Sequence, residues 1–187
     1  MIRKNLYPFI FSCAIILVAA FILSLIGRQP WGKNNEPGLW SGNINSRHNS
    51  QFLSDPYSFT HITHGVGFYG LLWLVAPSAP LAWRAVGAIA LESGWEVFEN
   101  TDFVINRYRE STISLDYYGD SIVNSIFDIL FMVLGFGLAS RLPRYATIVG
   151  IILLEVFLVF WIRDSLLLNI IMLLYPLGAI RRWQMGG

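Results

Sequence analysis

The feature that most constrains this chain is the apolar run from Tyr7 to Gly27, which contains no charged residue. A bilayer core of ~30 Å takes roughly 20 apolar residues as a helix. The run meets that length and exceeds the ~7–15 residues of a signal-peptide core. It is therefore expected to stay as a first membrane helix, although Arg3 and Lys4 precede it. The rest of the chain is of the same kind. Apolar residues make up 55% and charged residues 13%, and the mean hydropathy is +0.52, which excludes a disordered chain and argues against a water-soluble one. A net charge of +1 gives no electrostatic reason to expect nucleic acid as a partner. The single cysteine, Cys13, rules out an internal disulfide, a CxxC pair and a multi-thiolate metal site, and is read as a packing residue. The expectation is an all-α, polytopic transmembrane bundle forming one domain, embedded in the lipid bilayer.

Six spans are predicted, at about 7–27, 59–76, 81–99, 120–140, 145–162 and 165–180. The last two could instead be one long bent element, giving five. Residues 28–58 and 100–119 read as polar loops outside the hydrocarbon, because irregular backbone facing lipid leaves its polar groups unsatisfied. With six spans both termini share a side. That side carries Arg3, Lys4, Arg84, Arg141, Arg144, Arg181 and Arg182 in very short segments. The other carries Arg28, Lys33, Arg47, Arg107, Arg109 and Arg163. The denser basic side is assigned to the cytoplasm, so both termini are expected there.

Ionisable residues inside spans are costly and are functional candidates by default. Span two begins with His61 and His64, which lie about 60° apart around a helix. Span three ends with Glu92, Glu96 and Glu99 on one face, and span four begins with Asp120, Asn124 and Asp128 along one stripe. Consecutive spans alternate in direction, so these three ends fall on one side of the membrane. Glu155 and Asn169 fall in the same half. The expected arrangement is a polar chamber opening to the outer face.

Histidines and carboxylates on facing helices are how bundles build metal sites. The predicted ligands are His61, His64, Glu92, Glu96 and Asp128, and the imidazole–oxygen mixture suits Zn, Mn or Fe. In an enzyme, Glu92 or Glu96 would be the general base. Glu99, Asp120, Asn124, Arg107 and Arg109 are expected behind the ligands or against a substrate, with the two arginines able to hold a lipid or polyprenyl phosphate. Plainer readings stand beside these. The histidines, Glu96 and Glu99 could be hydrated at the interface. Glu92 and Asp128 could be structural hydrogen-bonding groups or protonated carboxyls, and the arginines could simply meet headgroups.

The blocks SFTHITHGVGFYG and LESGWEVFENTDFVINRYRESTISLDYYGDSIVNSIFDILFMVLGFGLA resemble an uncharacterised family of alphaproteobacterial inner-membrane proteins. That resemblance covers roughly residues 5–180 and implies a multi-pass protein of the bacterial inner membrane with no established activity. A more distant pattern is similar to VanZ-like proteins, associated with glycopeptide resistance. His64-Gly65, Glu96, Arg109, Asp120 and Asn124 follow that family's order. Glu99 and Asp128 depart from it, standing where the family tends to have Gln and Gly, and the extra carboxylates favour a metal site in this chain. Lipid-phosphatase signatures, a Walker motif and GxSxG are absent, which argues against a nucleotide-driven pump or an ordinary serine hydrolase. Three function classes remain: an envelope accessory protein without turnover, a metal-dependent hydrolase or transferase on a lipid-linked substrate, and a small proton-coupled carrier.

Overall fold

The computed structural model describes residues 3–32, 36–112, 114 and 116–186, with side chains from residue 6 onward. Lys33, used above for orientation, lies outside these residues, as do the side chains of Arg3 and Lys4. The described residues form eight helices: α1 (Arg3–Leu25), α2 (Ser58–Val75), α3 (Leu81–Glu99), α4 (Asp102–Ser111), α5 (Ile122–Ala139), α6 (Arg144–Ile162), α7 (Leu166–Leu174) and α8 (Gly178–Gln184). The bundle is all-helical as expected, and its first five predicted spans correspond to α1, α2, α3, α5 and α6.

Three of these helices, α1, α5 and α6, are long and apolar enough to cross a membrane. Helices α2 and α3 have comparable length, 18 and 19 residues, but carry His61 and His64, and Arg84, Glu92, Glu96 and Glu99. Those groups make them poor lone spans, yet most of the acids and histidines point into the bundle. Outward faces are the reverse. On α6 only Leu158 and Ile162 are buried, while Phe160 is 85% exposed, and α1 leaves Phe9, Leu17 and Phe21 uncovered. Apolar faces of this extent signal a lipid or protein surround.

The core is built mainly from α3 and α5. Ala88, Ile89, Ile129, Met132 and Phe136 form one buried cluster, with Ile15 and Ile16 of α1 and Phe68, Tyr69 and Leu72 of α2 against it. Helix α2 packs most extensively against α5, and α1 against α3. Two glycines bring α2 and α5 together backbone to backbone. Gly65 lies against the Met132 carbonyl and the Phe136 nitrogen, and Gly135 lies against the backbone of Ile62. A small residue on each side is what lets two helices approach this closely.

The C-terminal region departs from the predicted sixth span at 165–180. Helix α7 has nine residues, about 13.5 Å at 1.5 Å per residue, too short to cross alone. It stops before Pro176, which lacks the N–H a continuing helix needs and restricts Tyr175 (φ −143°, ψ 87°). Residues 178–184 then form the separate α8. Arg163 ends α6 in the left-handed conformation (φ 54°), so α6 and α7 are separate helices.

The described parts of both predicted loops are built into the bundle. The first three N–H groups at the start of α5 have no partner within the helix. Here Ser121, Ile122 and Val123 donate to the carbonyls of Ser50, Gln29 and Pro30, so the 28–58 segment caps the helix. Gln51 Nε2 donates to the Gly119 carbonyl at 2.8 Å, and Ser121 Oγ to the Gln51 carbonyl at 2.9 Å. The 100–119 segment contains α4, which buries Val104, Ile105, Tyr108 and Ser111.

Candidate functional site

The antiparallel run of α2, α3 and α5 brings the polar ends of all three helices to one end of the bundle. His61 is 6% exposed, Glu92 and Glu96 are 0% exposed, and Asp128 is 5% exposed. The His61 ring is held between two helices. Its Nδ1 lies 2.5 Å from Glu92 Oε1 and 3.5 Å from Glu96 Oε1 on α3, and its Nε2 lies 3.8 Å from Asp128 Oδ2 on α5. His64, one turn further along α2, places Nδ1 3.1 Å from both oxygens of Glu92. The two imidazoles thus converge on a single carboxylate.

Three overlapping triads follow from this packing: His61–His64–Glu92, His61–Glu96–Asp128 and Glu96–Glu99–Asp120. Within each, one potential ligand atom per residue lies within 4.8 Å of the others. Ligands about 2.0–2.2 Å from a shared ion lie at most roughly 4.4 Å apart. Small side-chain adjustments would therefore close each triad on an ion. Neither carboxylate oxygen of Glu96 has a hydrogen-bond partner, and neither does Asp128 Oδ1, although all three atoms are buried. Such orphaned acceptors are costly unless something else meets them. The donor set fits a divalent ion at the imidazole-bearing end.

The five predicted ligands therefore come together. Among the remaining candidates, Glu99 and Asp120 join the third triad. Asn124 is buried, and its backbone N–H serves the start of α5 by donating to Ser121 Oγ at 3.1 Å. The arginines are turned to other tasks. Arg107 Nε donates to the Leu173 carbonyl at 2.8 Å, and Arg109 Nε donates to the Tyr117 carbonyl. Neither lines the cavity beside the ligands. Glu155 Oε2 accepts the Leu167 N–H at 3.1 Å and so caps α7.

That cavity has a volume of about 550 Å³. His61, His64, Glu99, Asp120 and Asp128 contribute its polar side. Phe68, Leu91, Trp95, Phe98, Ile170 and Leu173 contribute an apolar wall. Sequence reasoning missed several groups around it. Asn100 Nδ2 donates to Asp120 Oδ2 at 2.8 Å, and the Tyr117 hydroxyl lies 3.0 Å from both oxygens of Asp120. Asp55 and Tyr57 arrive from the long first loop. Burial pushes the Asp55 carboxyl upward against the N–H groups of Ser50 and Tyr57, and burial beside Asp120 raises the Tyr117 hydroxyl well above its ordinary range. One signal was available: Val104, Ile105, Tyr108 and Ser111 have helical spacing, which marks α4 and its inward Tyr108. Nothing local in the sequence marks Asp55.

A family model described as protein of unknown function (DUF2585) matches residues 23–186. A UPF0314 protein of Paracoccus denitrificans (strain Pd 1222) is 47% identical over 184 residues, spanning 98% of this chain and 95% of that protein. A UPF0314 protein of Rhizobium etli (strain ATCC 51251) is 46% identical over 186 residues, spanning 99% and 95%. One from Sphingopyxis alaskensis is 43% identical over 176 residues, spanning 94% of each. No solved structure matches the chain. The VanZ-like order of residues finds no support in these matches. Near-complete coverage by relatives of one kind leaves a single assignment: the chain belongs to the uncharacterised DUF2585 family, whose alphaproteobacterial members carry the name UPF0314.

Proposed function

We propose that this chain is a multi-pass protein of the bacterial inner membrane that holds a divalent ion, Zn, Mn or Fe, among His61, His64, Glu92, Glu96 and Asp128. One observation carries the proposal. Two imidazoles meet the buried Glu92 carboxylate, while Glu96 and Asp128 present buried oxygens without hydrogen-bond partners next to His61. Unpaired carboxylates in a low-dielectric interior cost several kcal/mol each, and a bound cation offsets that cost. Membrane residence is supported by the three apolar helices and their uncovered faces. The basic residues of the short segments at Arg84, Arg141 and Arg144 favour a cytoplasmic N-terminus. With α7 too short to cross, Arg181 and Arg182 fall on the opposite side, where Arg181 Nη1 donates to the Glu110 carbonyl and Arg163 Nη1 to that of Trp183.

On this basis the ion ties α2, α3 and α5 together in an envelope-related accessory protein. A second reading is favoured by the adjoining cavity of about 550 Å³, whose apolar wall would take the chain of a lipid-linked or polyprenyl phosphate substrate. The protein would then be a hydrolase or transferase, with metal-activated water and a Glu96 or Glu92 carboxylate released to act as general base. A proton-coupled carrier is disfavoured, because Ala88, Ile89, Ile129, Met132 and Phe136 close the bundle beyond the site with apolar side chains.

The test is metal analysis by mass spectrometry on detergent-purified full-length protein. The expected result is about one equivalent of a transition metal in wild type, lost in His64→Ala and Glu92→Ala. Well-folded wild type that neither retains nor takes up a transition metal would overturn the proposal.

A further inference from the structure

We infer that the bundle holds a second, all-oxygen cation site formed by Glu96, Glu99 and Asp120, with Glu96 bridging it to the imidazole-bearing site. This rests on the metal site proposed above and extends it to a two-ion centre. The three carboxylates each place an oxygen within 4.8 Å of the others. Acidic residues often cluster without an ion. Here a separate observation singles out Glu96. It is 0% exposed, and both its oxygens lack a hydrogen-bond partner. Glu96 also belongs to the triad with His61 and Asp128. A carboxylate with two free oxygens, shared by neighbouring triads, is the geometry that bridges paired ions, which lie about 3.5–4 Å apart in two-metal sites.

Charge points the same way. The triads gather five carboxylates, Glu92, Glu96, Glu99, Asp120 and Asp128, around two imidazoles that are neutral when they ligate. One divalent ion leaves three negative charges uncompensated in a buried site, and a second leaves one. The two ends also differ chemically. The end with His61 and His64 suits a borderline ion such as Zn. The end with carboxylates alone suits a hard ion such as Mg or Mn. Asp120 is oriented for the task by Asn100 Nδ2 at 2.8 Å and the Tyr117 hydroxyl at 3.0 Å, the kind of outer support that ligating carboxylates receive. Both ions would border the cavity, since His61, His64, Glu99 and Asp120 line it.

The experiment titrates manganese chloride into the zinc-loaded full-length protein in detergent and follows free Mn by electron paramagnetic resonance. Wild type is expected to take up one further equivalent of Mn with zinc retained. Glu99→Gln and Asp120→Asn are expected to lose at least ten-fold in Mn affinity while keeping their zinc. Zinc retention without saturable Mn uptake in wild type would overturn the second site alone. Mn uptake unchanged in both variants would do the same. Failure of wild type to hold zinc, Mn or Fe would instead remove the site on which this one rests. The wild-type titration decides the matter even if a variant does not fold.

Discussion

Gly65→Ala and Gly67→Ala are the same chemical change two residues apart on α2, and the structure gives them opposite signs. A Cβ at residue 65 would lie 2.6 Å from the Phe136 nitrogen and 2.9 Å from the Met132 carbonyl carbon, against an ordinary contact of 3.4–4 Å. The obstacle is backbone, so no side chain can turn away, and α2 and α5 must part by about 1 Å. Overpacking of this kind costs ~1–3 kcal/mol. Removing a mid-helix glycine returns roughly 0.5–1 kcal/mol. The net expectation for Gly65→Ala is a loss of up to about 2.5 kcal/mol, or up to ~10 °C in Tm for a chain of this length. At Gly67 a Cβ meets nothing within 4 Å, so only the gain remains and Tm should hold or rise. Gly135→Ala is the mirror test, because its Cβ would sit 2.8 Å from the Ile62 carbonyl carbon. Thermal unfolding in detergent, read by near-UV circular dichroism, measures all three. The same separation carries His61 on α2 away from Asp128 on α5, now 3.8 Å apart, so metal content should fall in Gly65→Ala and not in Gly67→Ala. If Gly65→Ala and Gly135→Ala melt together with Gly67→Ala, the backbone-to-backbone contact is not what holds α2 against α5.

Asn100→Ala should destabilise the protein by ~1–3 kcal/mol, read in the same melting assay, because it leaves the buried Asp120 N–H without its acceptor. Asn100 Nδ2 donates to Asp120 Oδ2 at 2.8 Å, and Asn100 Oδ1 accepts the Asp120 N–H at 2.7 Å. Asp164→Asn should change the pH dependence of stability. Burial lifts the Asp164 carboxyl from 3.8 to about 6, despite the Ser165 N–H and Tyr57 hydroxyl that hold it down. A folded-state value above the unfolded one means that Asp164 costs nothing below about pH 4 and costs most above about pH 6, roughly 3 kcal/mol at the limit. The Tm difference between Asp164→Asn and wild type should therefore grow in favour of the variant as pH rises from 4 to 7. A difference that is constant across that range would refute the assignment.

Much of the site was legible in the sequence because helical spacing and alternating span direction are enough to bring its parts to one end. His61 and His64 open one helix, Glu92, Glu96 and Glu99 close the next, and Asp128 lies in the first turns of α5. Their meeting in overlapping triads follows from the packing of three helices. Arg107 and Arg109 lie on α4, and each Nε donates to a backbone carbonyl, that of Leu173 or Tyr117, an acceptor beyond the helix end that only the fold brings within reach. The sixth predicted span failed for a local reason, Pro176, that hydropathy over a long window averages away.

Composition and periodicity alone determined the helical character of the chain, its long apolar helices and the end of the bundle that carries the acids and histidines. These follow from burial of apolar surface and from the 3.6-residue turn, both of which act locally. Only the tertiary structure decided which of those polar groups meet. Gly65 and Gly135 set how closely α2 approaches α5, and the 28–58 segment caps α5 and brings Asp55 to the cavity. Whether His61 faces Glu92 and Asp128 or open space depends on interhelical separation and rotation. Those are set by contacts between residues far apart in the chain, which no local pattern encodes.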